Sequence, residues 1–213
     1  MISNSDRMFL NKDKRKKNHY SNTLNNKTQQ VSLLLACYST VFLVNFMAKT
    51  DENLKAAFAG ESQANRMYLA FAKKADEEGL TQVAKLFRAA AEAETVHALN
   101  HLRVMGQVKS TLDNLGTAVS GETYEFKKMY PEFIDEAKKE SNKPAQSSFD
   151  YANKVEQIHA NLYQKALDAL KTKKELQMVD YYVCPVCGNT FEGSTPDNCP
   201  ICATAKEKFM KIN

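Results

Sequence analysis

The stretch AETVHA (93–98) decides the fold, because its pattern recurs 62 positions later as VEQIHA (155–160). Each copy places a glutamate three residues before a histidine, so on a helix both side chains lie on one face and reach the same cation. A single pair of this kind is usually a solvated ion pair. Two repeat-related pairs instead indicate a metal site on facing helices.

The repeat extends well beyond these motifs, at an offset of 61 or 62 residues. The matched positions are Thr50, Asn53, Leu54, Ala57, Gly60, Glu61 and Phe87 with Thr111, Asn114, Leu115, Ala118, Gly121, Glu122 and Phe149. A duplicated helix pair predicts a pseudo-symmetric four-helix bundle. The connection between the halves, near 107–110, would have to cross that bundle.

Apolar residues at spacings of three and four predict four amphipathic helices. The first begins at Thr50 or Asp51 and ends near Glu78, before Gly79. The second begins after a Thr81 cap and ends before Gly106. The third spans about 112–140 with a kink or break at Pro131, and the fourth opens at Pro144 and fades over 171–174.

Glutamates complete a symmetric set of candidate ligands around the two Glu-x-x-His pairs. The full set is Glu61, Glu94, His97, Glu122, Glu156 and His159. One glutamate on each of two helices and one Glu-x-x-His on each of the other two is the pattern of carboxylate-bridged two-metal bundles. His101 and Glu92 have no such place in the repeat, so we interpret them as surface or supporting residues.

The C-terminal region predicts a second metal site. It contains the pairs Cys184/Cys187 and Cys199/Cys202, separated by 11 residues. Two such pairs form a closed tetrahedral four-sulfur site, and about 34 residues are too few to fold without one. Spacing alone leaves zinc and iron open. The two-metal bundle upstream favours iron, because a one-electron centre would serve as its electron entry.

Several local strings resemble the rubrerythrin family. They are AGESQANR (59–66), GETYE (121–125), YVCPVCG (182–188) and CPIC (199–202), and the resemblance runs from Met47 to the C-terminus. It implies a mainly α fold: a ferritin-like four-helix bundle with a di-iron site, followed by a rubredoxin-like domain that holds one iron. It places the bundle at 47–175, the rubredoxin-like domain at 180–213, and an extension at 1–46.

The same resemblance assigns roles that spacing alone does not. Glu125, which has only Ala64 opposite it in the repeat, would be a further ligand that exchanges with His97 when the iron is reduced. Tyr68 and Tyr130 would hydrogen-bond around the site, with packing in the core as the alternative explanation.

The function implied by the resemblance is a peroxidase that reduces hydrogen peroxide to water. Because the linker 171–180 alone is not expected to bring the small domain beside the middle of the bundle, a head-to-tail homodimer is expected. The electron donor would be a rubredoxin or a reductase that uses reduced nicotinamide. The alternatives are a ferroxidase or iron-storage protein, and a zinc-bound interaction module fused to a bundle.

Charge argues against a nucleic-acid partner. The chain has 29 basic and 25 acidic residues, but seven basic and two acidic ones precede Met47, which leaves 22 against 23. The surplus therefore belongs to the extension alone. We expect the protein to be cytoplasmic and the extension to be disordered or dispensable. Its apolar stretch 31–47 leaves a targeting segment or a membrane anchor as alternatives.

Overall fold

The computed structural model describes residues 49–213, which form two compact units, one ending at Gln107 and the other beginning at Val108. The N-terminal extension lies outside the described residues, so the expectations about it stay predictions. None of the helices within 49–213 is long and apolar enough to cross a membrane.

The first unit is a helical hairpin. Helix α1 occupies residues 49–77, and helix α2 spans Thr81–Val104. Helix α1 ends where predicted, because Gly79 adopts a φ of +75° and the Leu80 amide donates to the Ala75 carbonyl at 2.8 Å, a termination that favours glycine. The predicted Thr81 cap is wrong. Leu80 occupies the N-cap without a side-chain hydrogen bond, and Thr81 is the first helical residue.

Small residues form the contact between α1 and α2, where Ala72 and Ala91 are buried. They let Asn65 reach across the hairpin, where its amide donates to the Ala91 carbonyl at 2.6 Å and to the Thr95 hydroxyl at 2.8 Å. Asn65 lies one turn after Glu61, and Thr95 follows Glu94. This polar bridge therefore fixes the register in which Glu61 faces Glu94.

The second unit contains the remaining helices. They are α3 (Thr111–Tyr124), a π-helical turn (Glu125–Met129), α4 (Tyr130–Lys139) and α5 (Lys143–Lys171). The Ser110 hydroxyl and the Asn142 side chain accept backbone N–H groups and cap α3 and α5. Helices α3 and α4 pack along α5, and Ile134 and Val155 are buried there.

The predicted break at Pro131 takes the form of the π-helical turn. The Tyr130 amide donates to the carbonyl of Glu125, five residues back, and Pro131, which has no N–H, lies in the first turn of α4. A π-turn inserts one residue into a helix. It accounts for the change of repeat offset from 61, between Glu61 and Glu122, to 62 farther along the chain.

Matching aromatic clusters agree with the internal repeat. In the first unit, the Tyr68 ring lies 6.4 Å from Phe71 and 6.2 Å from Phe87 between centroids. The second unit has the corresponding cluster 62 positions later, made of Tyr130, Phe133 and Phe149. Both tyrosines therefore have the packing role that the sequence allowed. Their hydrogen bonding around a metal stays a prediction.

The C-terminal module is a small antiparallel sheet. Its strands are β1 (Tyr181–Val183), β2 (Thr190–Glu192) and β3 (Met210–Ile212), in the order β2-β1-β3, with a 3-10 turn at Lys206–Lys208. The rings of Phe191 and Phe209 stack with centroids 4.7 Å apart. Cys184 and Cys199 are buried beside this sheet. The sheet thus holds the loops that carry the cysteines.

Candidate metal centres

The first unit brings together Glu61 of α1 with Glu94 and His97 of α2. One ligand atom from each lies within 4.8 Å of the others, and His97 Nδ1 is 3.0 Å from Glu94 Oε2. We call this group the first half-site. The His97 side chain is 55% exposed, and its other ring nitrogen has no hydrogen-bond partner among residues 49–213. The His97 ring is therefore held by one hydrogen bond, between its Nδ1 and Glu94.

In the first half-site, the pKa values of the two facing glutamates, Glu61 and Glu94, are shifted in opposite directions. A hydrogen bond with Glu94, burial and the Glu94 charge raise the pKa of Glu61, while the imidazoles of His97 and His101 oppose the rise. A hydrogen bond from His97 lowers the pKa of Glu94. His101 is thus close enough to act electrostatically on Glu61. This agrees with its interpretation as a supporting residue.

The second unit brings together Glu122 of α3 with Glu156 and His159 of α5, again within 4.8 Å. His159 Nδ1 lies 2.7 Å from Glu156 Oε2 and 3.9 Å from Glu122 Oε1. We call this group the second half-site. Burial and repulsion by Glu156 raise the pKa of Glu122 to about 7. Carboxylates this crowded are relieved by a bound cation.

Glu125 lies outside the close group of the second half-site, although it is nearby. Burial and then the Glu156 charge raise its pKa, and the His159 charge opposes the rise. The Tyr130 hydroxyl has a pKa raised by burial and by the same carboxylates, with Glu125 first among them. The π-turn therefore supplies a carboxylate at the border of the second half-site that the first lacks.

The four paired cysteines lie together in the C-terminal module. Their sulfur atoms are within 4.8 Å of one another, and two pairs, Cys184/Cys202 and Cys187/Cys199, are separated by 3.5 Å. A disulfide would need about 2.05 Å, whereas a tetrahedral metal with bonds of about 2.3 Å gives sulfur–sulfur edges of about 3.8 Å. The geometry therefore suits a metal and excludes cross-linking within the group.

Hydrogen bonds lower the pKa of two of these thiols, Cys199 and Cys202, whereas burial raises the pKa of Cys187. Burial opposes ionisation of Cys202, but the Thr204 hydroxyl, 3.1 Å from its sulfur, and the Thr204 backbone lower its pKa overall. Asn189 is buried, and its amide donates to Cys199 Sγ at 3.8 Å. Thiolates are the species that ligate metals. The module therefore favours the thiolate form at Cys199 and Cys202.

Family models match both parts of the described chain. The Rubrerythrin model covers residues 52–167, and the model described as "Rubrerythrin, rubredoxin-like domain" covers 182–210. The chain belongs to the rubrerythrin family. The ferritin-like and rubredoxin-like fold class expected from the sequence is thereby confirmed, with the helical part and the four-cysteine module as observed.

Individual relatives match most of the chain. Rubrerythrin-2 of Clostridium acetobutylicum is 36% identical over 76% of this chain and 96% of its own. Nigerythrin of Nitratidesulfovibrio vulgaris is 37% identical over 76% of this chain and 86% of its own. A solved structure, nigerythrin in a mixed-valence state, is 36% identical over 76% and 86% of the two chains, with a TM-score of 0.47.

The cofactors of this rubrerythrin-family chain are a di-iron site made of Glu and His groups and one iron in the four-cysteine site. The donor sets fit these groups, since carboxylate and imidazole suit iron pairs in helical bundles and four thiolates suit a single iron. The zinc-module alternative is thus set aside. Which side chain contributes which ligand is a proposal that follows below.

The module contacts the second half-site directly. Thr190 Oγ1 on β2 lies 2.8 Å from His159 Nε2 and 3.4 Å from the Gly188 carbonyl, and Lys165 of α5 pairs with Glu192 at 2.6 Å. The expectation that the linker would not bring the module to the middle of its own helices is therefore wrong. Sequence reasoning missed Thr190, because nothing local marks a contact between residues 31 positions apart.

Thr190 also sets the orientation of His159. The Thr190 hydroxyl lies 2.8 Å from Nε2, and Nδ1 on the other side of the ring lies 2.7 Å from Glu156 Oε2. With Nε2 protonated and bonded to the hydroxyl, Nδ1 would offer a lone pair that a cation could share with Glu156.

We expect Thr190→Val to weaken iron binding at the second half-site by about ten- to a hundredfold, the range seen when a group that orients a metal-bound histidine is lost. Thr190→Ser keeps the hydroxyl and should remain near the wild type. Anaerobic titration with ferrous iron, monitored by metal analysis, measures both variants. Equal affinity of the valine variant and the wild type would contradict an orienting role.

Proposed function

We propose that this protein is a peroxidase that reduces hydrogen peroxide to water, with electrons entering through the four-cysteine iron. Membership of the rubrerythrin family supports an oxidoreductase. The observation that carries the proposal is the contact of 2.8 Å between Thr190 of the module and His159 of the second half-site. An electron carrier connected to a candidate metal ligand serves repeated redox turnover, and an iron store has no use for it.

We assign the di-iron ligands to the two half-sites, with Glu125 as the additional carboxylate. Hydrogen peroxide takes up two electrons and two protons, its O–O bond breaks, and two molecules of water leave. Bound iron would supply the electrons. The carboxylates would balance the metal charge, and the glutamate and histidine of each motif would reach the metal from one helix face.

A cleft beside His159 suits a small substrate. It measures about 320 Å³ and is lined by Leu115, Tyr163, Tyr181 and other residues of the second unit. Thr190 and His159 lie at its wall, so a molecule that enters reaches the ligand directly. The apolar side chains that line the cleft limit the entry of water. The polar groups that would bind hydrogen peroxide are then those of the metal centre.

The module also offers a surface for an electron donor. Val186, which lies between Cys184 and Cys187, is 59% exposed. An exposed apolar residue beside a buried metal lets a redox partner approach the centre closely. We propose a rubredoxin or a reductase that uses reduced nicotinamide as that partner. Family membership supports redox partners and oligomerisation only in general terms.

The test is anaerobic. The iron-loaded protein is fully reduced and mixed with stoichiometric hydrogen peroxide, and the ferric four-cysteine absorption is followed in a stopped-flow spectrometer. We expect rapid return of that absorption without release of dioxygen. If dioxygen reoxidises the protein faster than peroxide does, the protein is a ferroxidase. If neither oxidant restores the absorption, the peroxidase proposal fails.

Glu125→Ala gives the second half-site the residue that the first half-site has at Ala64. We expect peroxide-driven reoxidation to slow by about tenfold or more, the order of loss when a group supporting a metal site is removed. We also expect the two irons to become more alike in Mössbauer spectra. Glu132→Ala, on the exposed side of α4, is the matched control. Unchanged kinetics and unequal irons in the Glu125 variant would exclude a ligand role.

A further inference from the structure

The two cysteine loops of the module share one backbone plan. Each is closed by a hydrogen bond from the amide of its first residue to the carbonyl of its last, at 2.9 Å in 184–189 and at 2.8 Å in 199–204. The residue before the last has a positive φ in both loops, +81° and +60°. The two last residues, Asn189 and Thr204, therefore occupy equivalent positions. Because two different residues fit there, the backbone of the loop does not require an asparagine.

The side chain of Asn189 is buried beside the sulfur atoms. It is 1% exposed, and no other polar or charged residue within 49–213 is buried. Its amide nitrogen donates to Cys199 Sγ of the other loop, at 3.8 Å. The Thr204 hydroxyl, at the equivalent position, lies 3.1 Å from Cys202 Sγ of its own loop. Asn189 thus adds a side-chain hydrogen bond between the two loops.

The carbonyl end of the same amide has no partner. Asn189 Oδ1 is buried and accepts no hydrogen bond from any residue within 49–213. A buried acceptor without a partner destabilises a fold, and a leucine of the same branched shape would avoid that loss. Stability of the module therefore does not account for an asparagine. What the asparagine adds is an N–H donor at a sulfur atom, since the opposite orientation would place its oxygen beside another acceptor.

A donor at this sulfur has a definite effect on a bound iron. Four thiolates leave a ferric centre with one net negative charge and a ferrous centre with two. A hydrogen bond to a ligating sulfur stabilises the more negative, ferrous form more strongly, so it raises the reduction potential. Burial strengthens the effect, because the local dielectric is low and an unpaired group is not compensated by water.

We propose that Asn189 raises the reduction potential of the four-cysteine iron through its hydrogen bond to Cys199. It is a positioning residue, because it acts through the sulfur. The higher potential lets an external donor reduce the centre more readily, and this consequence for electron entry rests on the proposed function. The potential itself does not rest on it, because it is a property of the iron and its ligands alone.

Asn189→Leu tests the proposal in the full-length, iron-loaded protein. The substitution keeps the branched shape and removes the donor. An anaerobic redox titration, followed by the ferric four-cysteine absorption, measures the potential. We expect the ratio of ferrous to ferric iron at a fixed potential to fall about tenfold, which is a midpoint lower by about 59 mV for one electron. The ferric absorption should also move to longer wavelength, because the sulfur electrons are less stabilised without the donor.

Asn198→Leu is the matched control. It makes the same exchange at an exposed position directly before Cys199, where the side chain makes none of the sulfur contacts described above. We expect this variant to keep the potential and the absorption of the wild type. Iron content and thermal unfolding are measured on the same samples, so that a loosened module is distinguished from a lost donor. Equal potentials of the two variants, each with a full four-cysteine site, overturn the proposal.

The wild-type protein provides a second test that needs no substitution. The full-length chain is labelled with a spin-half isotope of nitrogen, and its four-cysteine iron is replaced by a spin-half isotope of cadmium. An N–H···S hydrogen bond then transmits scalar coupling between the proton and the metal, which NMR detects. We expect this coupling at the side-chain amide of Asn189. The backbone N–H of Asn189, which bonds to Cys187, is the internal reference.

Coupling at the backbone N–H without coupling at the side-chain amide overturns the proposal, also where the leucine variant does not hold iron. Neither this measurement nor the redox titration contains peroxide. A failure of the peroxidase proposal therefore leaves both readouts unchanged, and a failure at Asn189 does not bear on peroxide reduction by the wild type.

Discussion

Cys199→Ser should abolish the four-cysteine centre and unfold residues 180–213. Cys199 is buried, and the module has only three short strands around it. Binding of a structural four-ligand metal supplies about 10–16 kcal/mol of folding free energy in comparable small domains, more than so small a core provides. We expect loss of the ferric absorption and fast hydrogen exchange confined to the module.

The same variant should lose electron delivery from an external donor to the di-iron site, because the contact through Thr190 disappears with the module. Thr204→Val is the control. It removes the hydroxyl 3.1 Å from Cys202 Sγ but leaves four ligands, so iron should remain bound. If the serine variant keeps a folded, iron-containing module, the ligand assignment of Cys199 is wrong.

Glu156→Ala should remove internal oxidation of the four-cysteine iron by peroxide. Glu156 Oε2 lies 2.7 Å from His159 Nδ1. The charge of Glu156 adds to the effect of burial in raising the pKa of Glu122. Loss of Glu156 takes away a proposed ligand from one half-site, and we expect peroxide-driven reoxidation to fall by about a hundredfold or more, as when one preorganised catalytic group is deleted. Stopped-flow absorption with metal analysis measures the loss.

The metal-free Glu156 variant should be at least as stable as the wild type, since like-charge repulsion with Glu122 is relieved. Thermal unfolding of both metal-free proteins therefore separates a lost ligand from a lost fold. Glu92→Ala, an exposed position on α2 outside both half-sites, should keep wild-type kinetics. If Glu156→Ala reoxidises as fast as Glu92→Ala, the peroxidase assignment fails at this site.

The sequence alone determined the helical framework and which candidate ligands lie together in each half-site and in the module. Residues three apart share a helix face whatever surrounds them, so the pairing of Glu94 with His97 and of Glu156 with His159 was readable from spacing. The termination at Gly79 and the break before Pro131 were readable as well, because they follow from the backbone limits of single residues. The Thr81 cap was misplaced by one residue, and the last helix begins at Lys143, one residue before the expected Pro144.

The tertiary structure decided what depends on contacts between distant residues. The form of the break is a π-turn that absorbs the extra residue of the second repeat, and the turn is followed by Tyr130, which packs against Phe133 and Phe149. The contact between Thr190 and His159 joins a strand to a helix 31 residues away. Spacing cannot encode such a contact, because it arises only when both elements have folded and their surfaces meet.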